Sequence, residues 1–319
     1  MKIIVLSKVL EQKHVDLITK AAESVGAQVV FVESENEIPE DFRDAEVLYG
    51  FGTEAARTSK ALKWLCVPSA GVDYLMGPGK FANDDCILTN SSGAYGVTIA
   101  EHIIGVTLMM MRRLTEFYAE TIRGEWGMPR AQKSIKDCRI TVLGTGDIGT
   151  EFAKRVKAFE PACITGINRS GAGKESVYDK VESIDALDQM LQRTDLLVMS
   201  LPDTPETKGI LSRERINLLP EGAYIVNVGR GSAIDEEALA DSLDEGRIAG
   251  AALDVFVQEP LPEESRLWHT KNLLITPHIA GNQTLAHTLD RNVEMFLEDL
   301  HNYAAGRPLA HAVDRQKGY

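Results

Sequence analysis

His278, Glu259 and Arg230 are the residues of this chain whose types and settings most plainly offer chemistry. His278 follows the apolar run in "NLLITPHIAG", and of the seven histidines it alone is expected at the carboxyl end of a strand. An imidazolium placed there can give a proton to a developing alkoxide and take it back in the reverse direction. A lone histidine is more often structural, so the reading depends on a partner. Glu259, in "VQEP", could hydrogen-bond the ring, orient it and favour its charged form. A glutamate before proline is also common in exposed turns, and that alternative stays open on the residues alone. Arg230, in "NVGRGSAID", is expected at the end of another strand, where its guanidinium fork can hold a small carboxylate in one orientation. A surface arginine preceding a helix is the competing reading. Ligand binding at the carboxyl ends of parallel strands favours the anion site.

The stretch "TVLGTGDIGTEFAKRV", residues 141–156, carries Gly144, Gly146 and Gly149. A bare G-x-G-x-x-G is weak, but here β-rich "RITVL" precedes it and helix-like "IGTEFAKRVKAF" follows. At such a turn the backbone can approach a pyrophosphate, amides at the helix N-terminus can donate to it, and Gly149 permits close helix-on-strand packing. A dinucleotide site is therefore expected. The next strand ends in "GINRSG", where NAD-preferring sites place an acidic residue for the ribose hydroxyls. Asn168, Arg169 and Ser170 stand there instead. Arg169 can pair with a ribose 2′-phosphate and Ser170 can hydrogen-bond it, so NADP(H) is favoured over NAD(H). A solvated loop arginine is the plain alternative.

These residues need a scaffold, and 319 residues suit two domains. A hydrophobic share of 44% and a charged share of 25% suit an ordinary globular protein. The net charge of −13 argues against nucleic acid or an anionic membrane as the main partner, since both need a cationic face. The longest apolar run, Ile103 to Met111, is too short to span a bilayer. "MKIIVLSKVL" reads as a first strand rather than a signal peptide, and a cytoplasmic enzyme is expected. Cys66, Cys86, Cys138 and Cys163 are scattered without a C-x-x-C pair, so no metal is expected.

"KIIVLS", "QVVFVE", "VLYGF" and "KWLCVPS" read as buried strands of a first domain. "RITVLG", "ITGINR", "LLVMSL", "AYIVNVG", "AGAALDVF" and "LLITPH" read as six strands of a second. Helix-period segments between them predict α/β architecture with parallel sheets covered on both faces. The helix over Val97–Arg113 is apolar on most sides, which predicts burial between domains or subunits. "QTLAHTLDRNVEMFLEDLHNYAAG" predicts one closing amphipathic helix.

"NVGRGSAID", "ALDVFVQEPLP" and "NLLITPHIAG", in this order, resemble the D-isomer-specific 2-hydroxyacid dehydrogenases. "PSAGVDYL", "SSGAYGVTIAEH", "SLPDTPETKGIL" and "NYAAGRPL" extend the likeness almost end to end. The "LPDTPET" and "NRS" forms look most like the glyoxylate/hydroxypyruvate reductase branch, which tends to use NADPH. The resemblance implies two doubly wound parallel-sheet domains with a cleft between them. Residues 1–96 and 283–319 would form a flavodoxin-like substrate domain, and residues 97–282 a Rossmann cofactor domain. It implies a homodimer, with the apolar helix near residue 105 as an interface element.

It also implies residue roles. Arg230 would anchor the substrate carboxylate, His278 would be the acid–base and Glu259 its partner. Ala70 and Gly71 would offer backbone amides to the carboxylate. Gly144, Gly146, Asp147, Ile148, Gly149, Asn168, Arg169, Ser170, Leu201, Pro202, Thr207, Val228 and Asp254 would contact the cofactor, with Asp254 accepting from the nicotinamide carboxamide or, alternatively, acting as a buried cap. Ser200 stands where many relatives carry His. Tyr49, Phe51, Tyr74 and Leu75 suggest an apolar or aromatic-tolerant substrate pocket. The implied activity is reduction of a small 2-keto acid such as glyoxylate or hydroxypyruvate. 3-Phosphoglycerate dehydrogenase and a dinucleotide-sensing corepressor are the alternatives; a formate dehydrogenase would not need the His–Glu pair.

Overall fold

A computed structural model describes residues 1–173 and 176–315. The chain divides into two compact units, one of Met1–Tyr95 with the segment from Asn282 onward, the other of Gly96–Gly281. Residues 316–319, which the resemblance assigns to the substrate domain, lie outside the described residues.

The first unit contains β1 (Lys2–Leu6), α1 (Gln12–Ser24), β2 (Gln28–Val32), β3 (Val47–Gly50), α2 (Thr53–Thr58), β4 (Trp64–Val67) and β5 (Ile87–Asn90). Its strands lie in the order β2-β1-β3-β4-β5, all parallel. That is the flavodoxin-type doubly wound order. Alternate side chains enter opposite cores, as the strand pleat requires. Ile3, Val5, Val47, Tyr49 and Trp64 face one core, and Ile4, Leu48, Leu65 and Val67 face the other. Tyr49 and Leu75, expected to line a substrate pocket, are instead core residues at 1% and 3% exposure. Tyr49 packs on Phe296 with ring centroids 4.8 Å apart, and Leu75 belongs to the cluster under Leu48 and Leu65. Phe51 and Tyr74 do remain exposed.

The second unit runs through α3 (Gly96–Met111), α4 (Leu114–Ile122), β6 (Arg139–Leu143), α5 (Asp147–Val156), β7 (Cys163–Asn168), β8 (Lys180–Ser183), α6 (Leu187–Leu191) and β9 (Leu196–Met199). It continues with α7 (Arg213–Leu218), β10 (Tyr224–Asn227), α8 (Glu236–Asp244), β11 (Gly250–Leu253) and β12 (Leu273–Ile275). The sheet order is β12-β11-β10-β9-β6-β7-β8, again parallel throughout. The order reverses between β6 and β9, and such a switch point opens a crevice at the carboxyl ends of the strands. Helix α3 packs on α5 and on β10 and β11 and buries Ile99, Ile103, Val106 and Met111, while Ile104, Leu108, Met109 and Met110 stay partly exposed. The closing helix, α9 (Ala286–Ala304), packs on α1 of the first unit, where Phe296 and Leu300 are fully buried. Each such side chain contributes about 1.5–3 kcal/mol of burial.

Two strands escape the sequence pattern. β5, "ILTN", exposes Ile87 and buries the polar Thr89 and Asn90, and β8, "KVES", is a largely polar edge strand. Neither has the apolar run that marks a central strand.

Candidate active site

The glycine turn joins β6 to α5 at the switch point. Gly144 has φ +105°, and a Cβ there would stand 2.8 Å from the Ser200 carbonyl oxygen. A Cβ on Gly149 would stand 2.1 Å from the Gly144 carbonyl oxygen. Packing within the protein therefore explains both glycines. Gly146 differs, since its φ is −70° and a Cβ there would meet nothing within 4 Å. Its lack of a side chain keeps the mouth of the turn clear, as the approach of a pyrophosphate demands. The first bond into the helix is Thr150 N–H to the Gly146 carbonyl, so the first-turn amides of α5 face out of its N-terminus. These residues fit a dinucleotide phosphate. Asp147 turns its carboxylate toward Gly96 at the start of α3, where a Cβ would lie 2.4 Å from Oδ2.

Beyond β7, Asn168 is the architect of its loop. Its Nδ2 donates to Thr145 Oγ1 and to the Ala172 carbonyl, each at 2.7 Å. Its Oδ1 accepts from the amides of Ser170 at 3.0 Å and Gly171 at 2.8 Å. With both amide hydrogens used, Asn168 shapes the loop, while Arg169 and Ser170 stand exposed on it. Glu206 is held below its ordinary range by its own backbone N–H and the Thr204 hydroxyl, with Arg169 adding a smaller attraction.

Leu201 leans on the core while Pro202 is exposed. Thr207 Oγ1 donates to the Pro202 carbonyl at 2.7 Å and accepts from Thr204 N–H at 2.9 Å, so it staples the loop behind β9. Ser200 Oγ reaches the Gly144 carbonyl at 3.2 Å. Val228 is buried, and its N–H bonds to the Met199 carbonyl at 3.0 Å.

Three adjacent strands, β10, β11 and β12, deliver Arg230, Asp254 and His278 at their carboxyl ends. The glycines beside Arg230 are dictated by contact. A Cβ on Gly229 would lie 2.6 Å from the Leu201 backbone, and one on Gly231 would lie 1.9 Å from the carbonyl carbon of Phe256. Arg230 is thereby seated between the loops that follow β9 and β11, and its Nη1 donates to the Gly229 carbonyl at 2.9 Å.

Asp254 is 3% exposed, and its carboxylate accepts from Thr276 Oγ1 at 2.6 Å and from the amides of Ile279 at 2.9 Å and Ala280 at 3.0 Å. Its carbonyl accepts from His278 N–H at 2.8 Å. Asp254 thus ties down the turn that holds His278 in the left-handed region, at φ 53°.

His278 Nδ1 lies 2.7 Å from Glu259 Oε2, and the other oxygen of Glu259 accepts from Phe256 N–H at 2.9 Å. With Nδ1 engaged by Glu259, Nε2 is the ring nitrogen that faces away from it. Both side chains are partly exposed, at 52% and 36%.

Sequence reasoning missed three supports. Thr276 holds Asp254, as above. Glu236 accepts from Val257 N–H at 2.8 Å, and burial pushes its carboxyl above the ordinary range, with Glu237 and Glu259 adding to the rise. His102 on α3 lies 3.4 Å from Thr276 Oγ1, and burial lowers its pKa while Asp254 partly opposes this. Neither Glu236 nor His102 carries a local pattern that points to the site.

In the first unit, the loop after β4 has its carbonyls drawn inward. Ser69 O accepts from Ser91 N–H at 2.9 Å, Ala70 O from Asn90 Nδ2 at 2.7 Å, and Gly71 O from Ser69 Oγ at 2.8 Å. In a trans peptide the next N–H points the opposite way, so the amides of Ala70 and Gly71 are turned away from these partners. Amides turned this way are the kind of donor an anion can use.

Among the described residues there is no cluster of His, Cys, Asp and Glu suited to a metal ion, and no helix long and apolar enough to cross a membrane.

Residues 104–280 match the family model of the D-isomer specific 2-hydroxyacid dehydrogenase, NAD binding domain. Glyoxylate/hydroxypyruvate reductase A of Salmonella typhimurium is 30% identical over 267 residues, spanning 82% of this chain and 83% of that protein. A D-isomer specific 2-hydroxyacid dehydrogenase family protein from Aeromonas salmonicida superposes with a TM-score of 0.87 at 30% identity, covering 98% of this chain and 99% of that one. An NADPH-dependent glyoxylate/hydroxypyruvate reductase from Sinorhizobium meliloti, crystallised with NADP and sulfate, superposes with a TM-score of 0.80 at 26% identity, covering 100% and 99%.

Proposed function

The chain belongs to the D-isomer specific 2-hydroxyacid dehydrogenase family, and from that premise we propose that it reduces glyoxylate, hydroxypyruvate or a similarly small 2-keto acid to the D-2-hydroxy acid with NADPH. It is an NAD(P)-dependent oxidoreductase of 2-hydroxy acids and their keto forms. The observation that carries the reading is the 2.7 Å contact of His278 with Glu259 at the end of β12, in the same sheet that ends β10 in Arg230.

When bound, the nicotinamide cofactor supplies the hydride. The residues do the rest. Arg230 fixes the keto acid through its guanidinium fork, and the Ala70 and Gly71 amides take the carboxylate. As charge develops on the carbonyl oxygen, His278 Nε2 gives it a proton, and Glu259 holds the ring in the orientation this needs through its contact with Nδ1. Asp254 keeps the His278 turn in place and has acceptor capacity for the nicotinamide amide.

NADPH is the favoured cofactor because the loop after β7 presents Arg169 and Ser170 where an acid would serve NAD. The Sinorhizobium meliloti relative is described as NADPH-dependent, and a relative from Xanthobacter autotrophicus, 28% identical, was crystallised with NADPH. A panel of 2-keto acids, followed by absorbance with NADPH and NADH in parallel, tests both halves. No turnover of glyoxylate or hydroxypyruvate, or faster turnover with NADH, would overturn them.

The active form is a homodimer in which α4 meets the same helix of a second copy. No α4 residue is buried, and Leu114, Tyr118 and Ile122 form an exposed stripe at i, i+4 and i+8. Trp126, 96% exposed, and Met128 continue it on a loop that folds back onto α4, with Arg130 paired to Glu120 and lying 5.1 Å over the Phe117 ring. A tethered loop presenting a bare tryptophan suits a contact rather than solvent. Aromatic residues bury ~150–250 Å² each, so this stripe supplies a large part of the ~800 Å² per partner of a standard interface. A self-complementary patch is what a twofold dimer uses.

A further inference from the structure

The carbonyl of Pro68, one peptide ahead of the Ala70 and Gly71 amides, receives two side chains. Tyr95 Oη donates to it at 2.6 Å, and Gln283 Nε2 donates to the same oxygen. Their places in the chain are unusual. Tyr95 is the last residue of the first unit before the chain leaves it, and Gln283 is the second residue after the chain returns. Both points of crossing are thus secured to one carbonyl, at the root of the loop that turns its amides outward.

The phenol is held in one role. Tyr95 is 4% exposed, and Asn292, fully buried on α9, donates its Nδ2 to Tyr95 Oη at 3.3 Å. The phenol oxygen therefore accepts from Asn292 while its proton goes to Pro68. Burial raises the Tyr95 pKa, partly opposed by the Asn292 and Gln283 side chains, and so favours the protonated phenol. The Ser69 amide, on the far side of the Pro68 peptide, is used by the Val67 carbonyl at 2.8 Å. Both faces of the peptide entering the loop are consequently fixed. A trans peptide plane so held sets the direction of the peptides that follow.

We propose that Tyr95 and Gln283 are positioning residues for the substrate carboxylate, acting through their shared acceptor, the Pro68 carbonyl, to aim the Ala70 and Gly71 amides. The proposal rests on the reading that those two amides hold the carboxylate. Donor geometry within a few tenths of an ångström decides whether an amide binds an anion well, so releasing the root of the loop costs substrate affinity first.

The test uses the full chain with glyoxylate and NADPH, and the variants Tyr95→Phe, Gln283→Ala and Asn90→Ala. Tyr95→Phe removes only the hydroxyl, and Gln283→Ala is the second route should the phenylalanine variant fold poorly. Each should raise the KM for glyoxylate about tenfold, the scale of one lost hydrogen bond, with kcat and the NADPH Kd little changed. A merely structural role would instead lower the thermal midpoint and leave KM where it was. Asn90→Ala, which frees the Ala70 carbonyl directly, separates the two levels of the argument. A raised KM in Asn90→Ala alone would overturn the role of Tyr95 and Gln283 and leave the carboxylate reading standing. An unchanged KM in all three would overturn both.

Discussion

His278 Nδ1 and Glu259 Oε2 stand 2.7 Å apart, although 19 residues separate them in the chain. The contact forms because Phe256 N–H holds the second carboxylate oxygen and Asp254 holds the turn beneath the imidazole. Glu259 is thereby aimed at the imidazole by the protein's own contacts.

His278→Ala should lower turnover about a hundredfold or more, the scale of a lost general acid, while NADPH affinity is kept. In Glu259→Gln the ring loses the carboxylate that holds Nδ1 in place. Turnover should fall well below that of the parent enzyme while NADPH affinity is kept. Steady-state rates and NADPH titration check this; parent-like turnover would remove Glu259 from the proton transfer.

Arg230→Lys keeps the charge and loses the planar fork. It should lose most of kcat/KM for glyoxylate, since an ammonium cannot fix the keto acid in one orientation. Efficiency near that of the parent enzyme would reduce Arg230 to a general attractor for anions.

Arg169→Ala should weaken NADPH by about ten- to a hundredfold, the worth of one charge-assisted hydrogen bond, and leave NADH almost untouched. Asn168→Asp has a different expected outcome from the one that residue type suggests. It would repel the 2′-phosphate, and it would also lose the donors to Thr145 and Ala172 that shape the loop. Both cofactors should therefore weaken, NADPH more. Fluorescence titration of both cofactors on each protein decides; equal losses in Arg169→Ala would make that arginine structural.

Tyr118→Glu and Ile122→Glu place charges in the α4 stripe without disturbing a buried residue, because none lies on that helix. Sedimentation velocity should show the parent as a dimer and both variants as monomers with unchanged thermal midpoints. A monomeric parent, or dimers throughout, would reject α4 as the interface.

What the sequence determined by itself was everything carried by local pattern. Apolar runs marked the central strands, and Arg230 and His278 were visible because each directly follows such a run. The glycines at 144, 146 and 149 were visible because a strand precedes them and a helix follows. Family motifs then assigned roles to Glu259 and Asp254 that spacing could not. The tertiary structure decided the rest. It made β5 and β8 strands despite polar sequences, because backbone pairing with β4 and with the segment at His311–Val313 holds β5, and pairing with β7 holds the edge strand β8. It drew Tyr49 and Leu75 into cores, turned Asn168 inward, and separated Gly146, clear of protein contact, from two glycines that packing alone demands. The physical reason is common to all of these. Periodicity along a chain reports which side chains avoid water, whereas the partner that satisfies a buried amide, carbonyl or carboxylate is fixed only when distant segments meet. Thr276 reaches Asp254 across 22 residues, and Gln283 reaches Pro68 across 215.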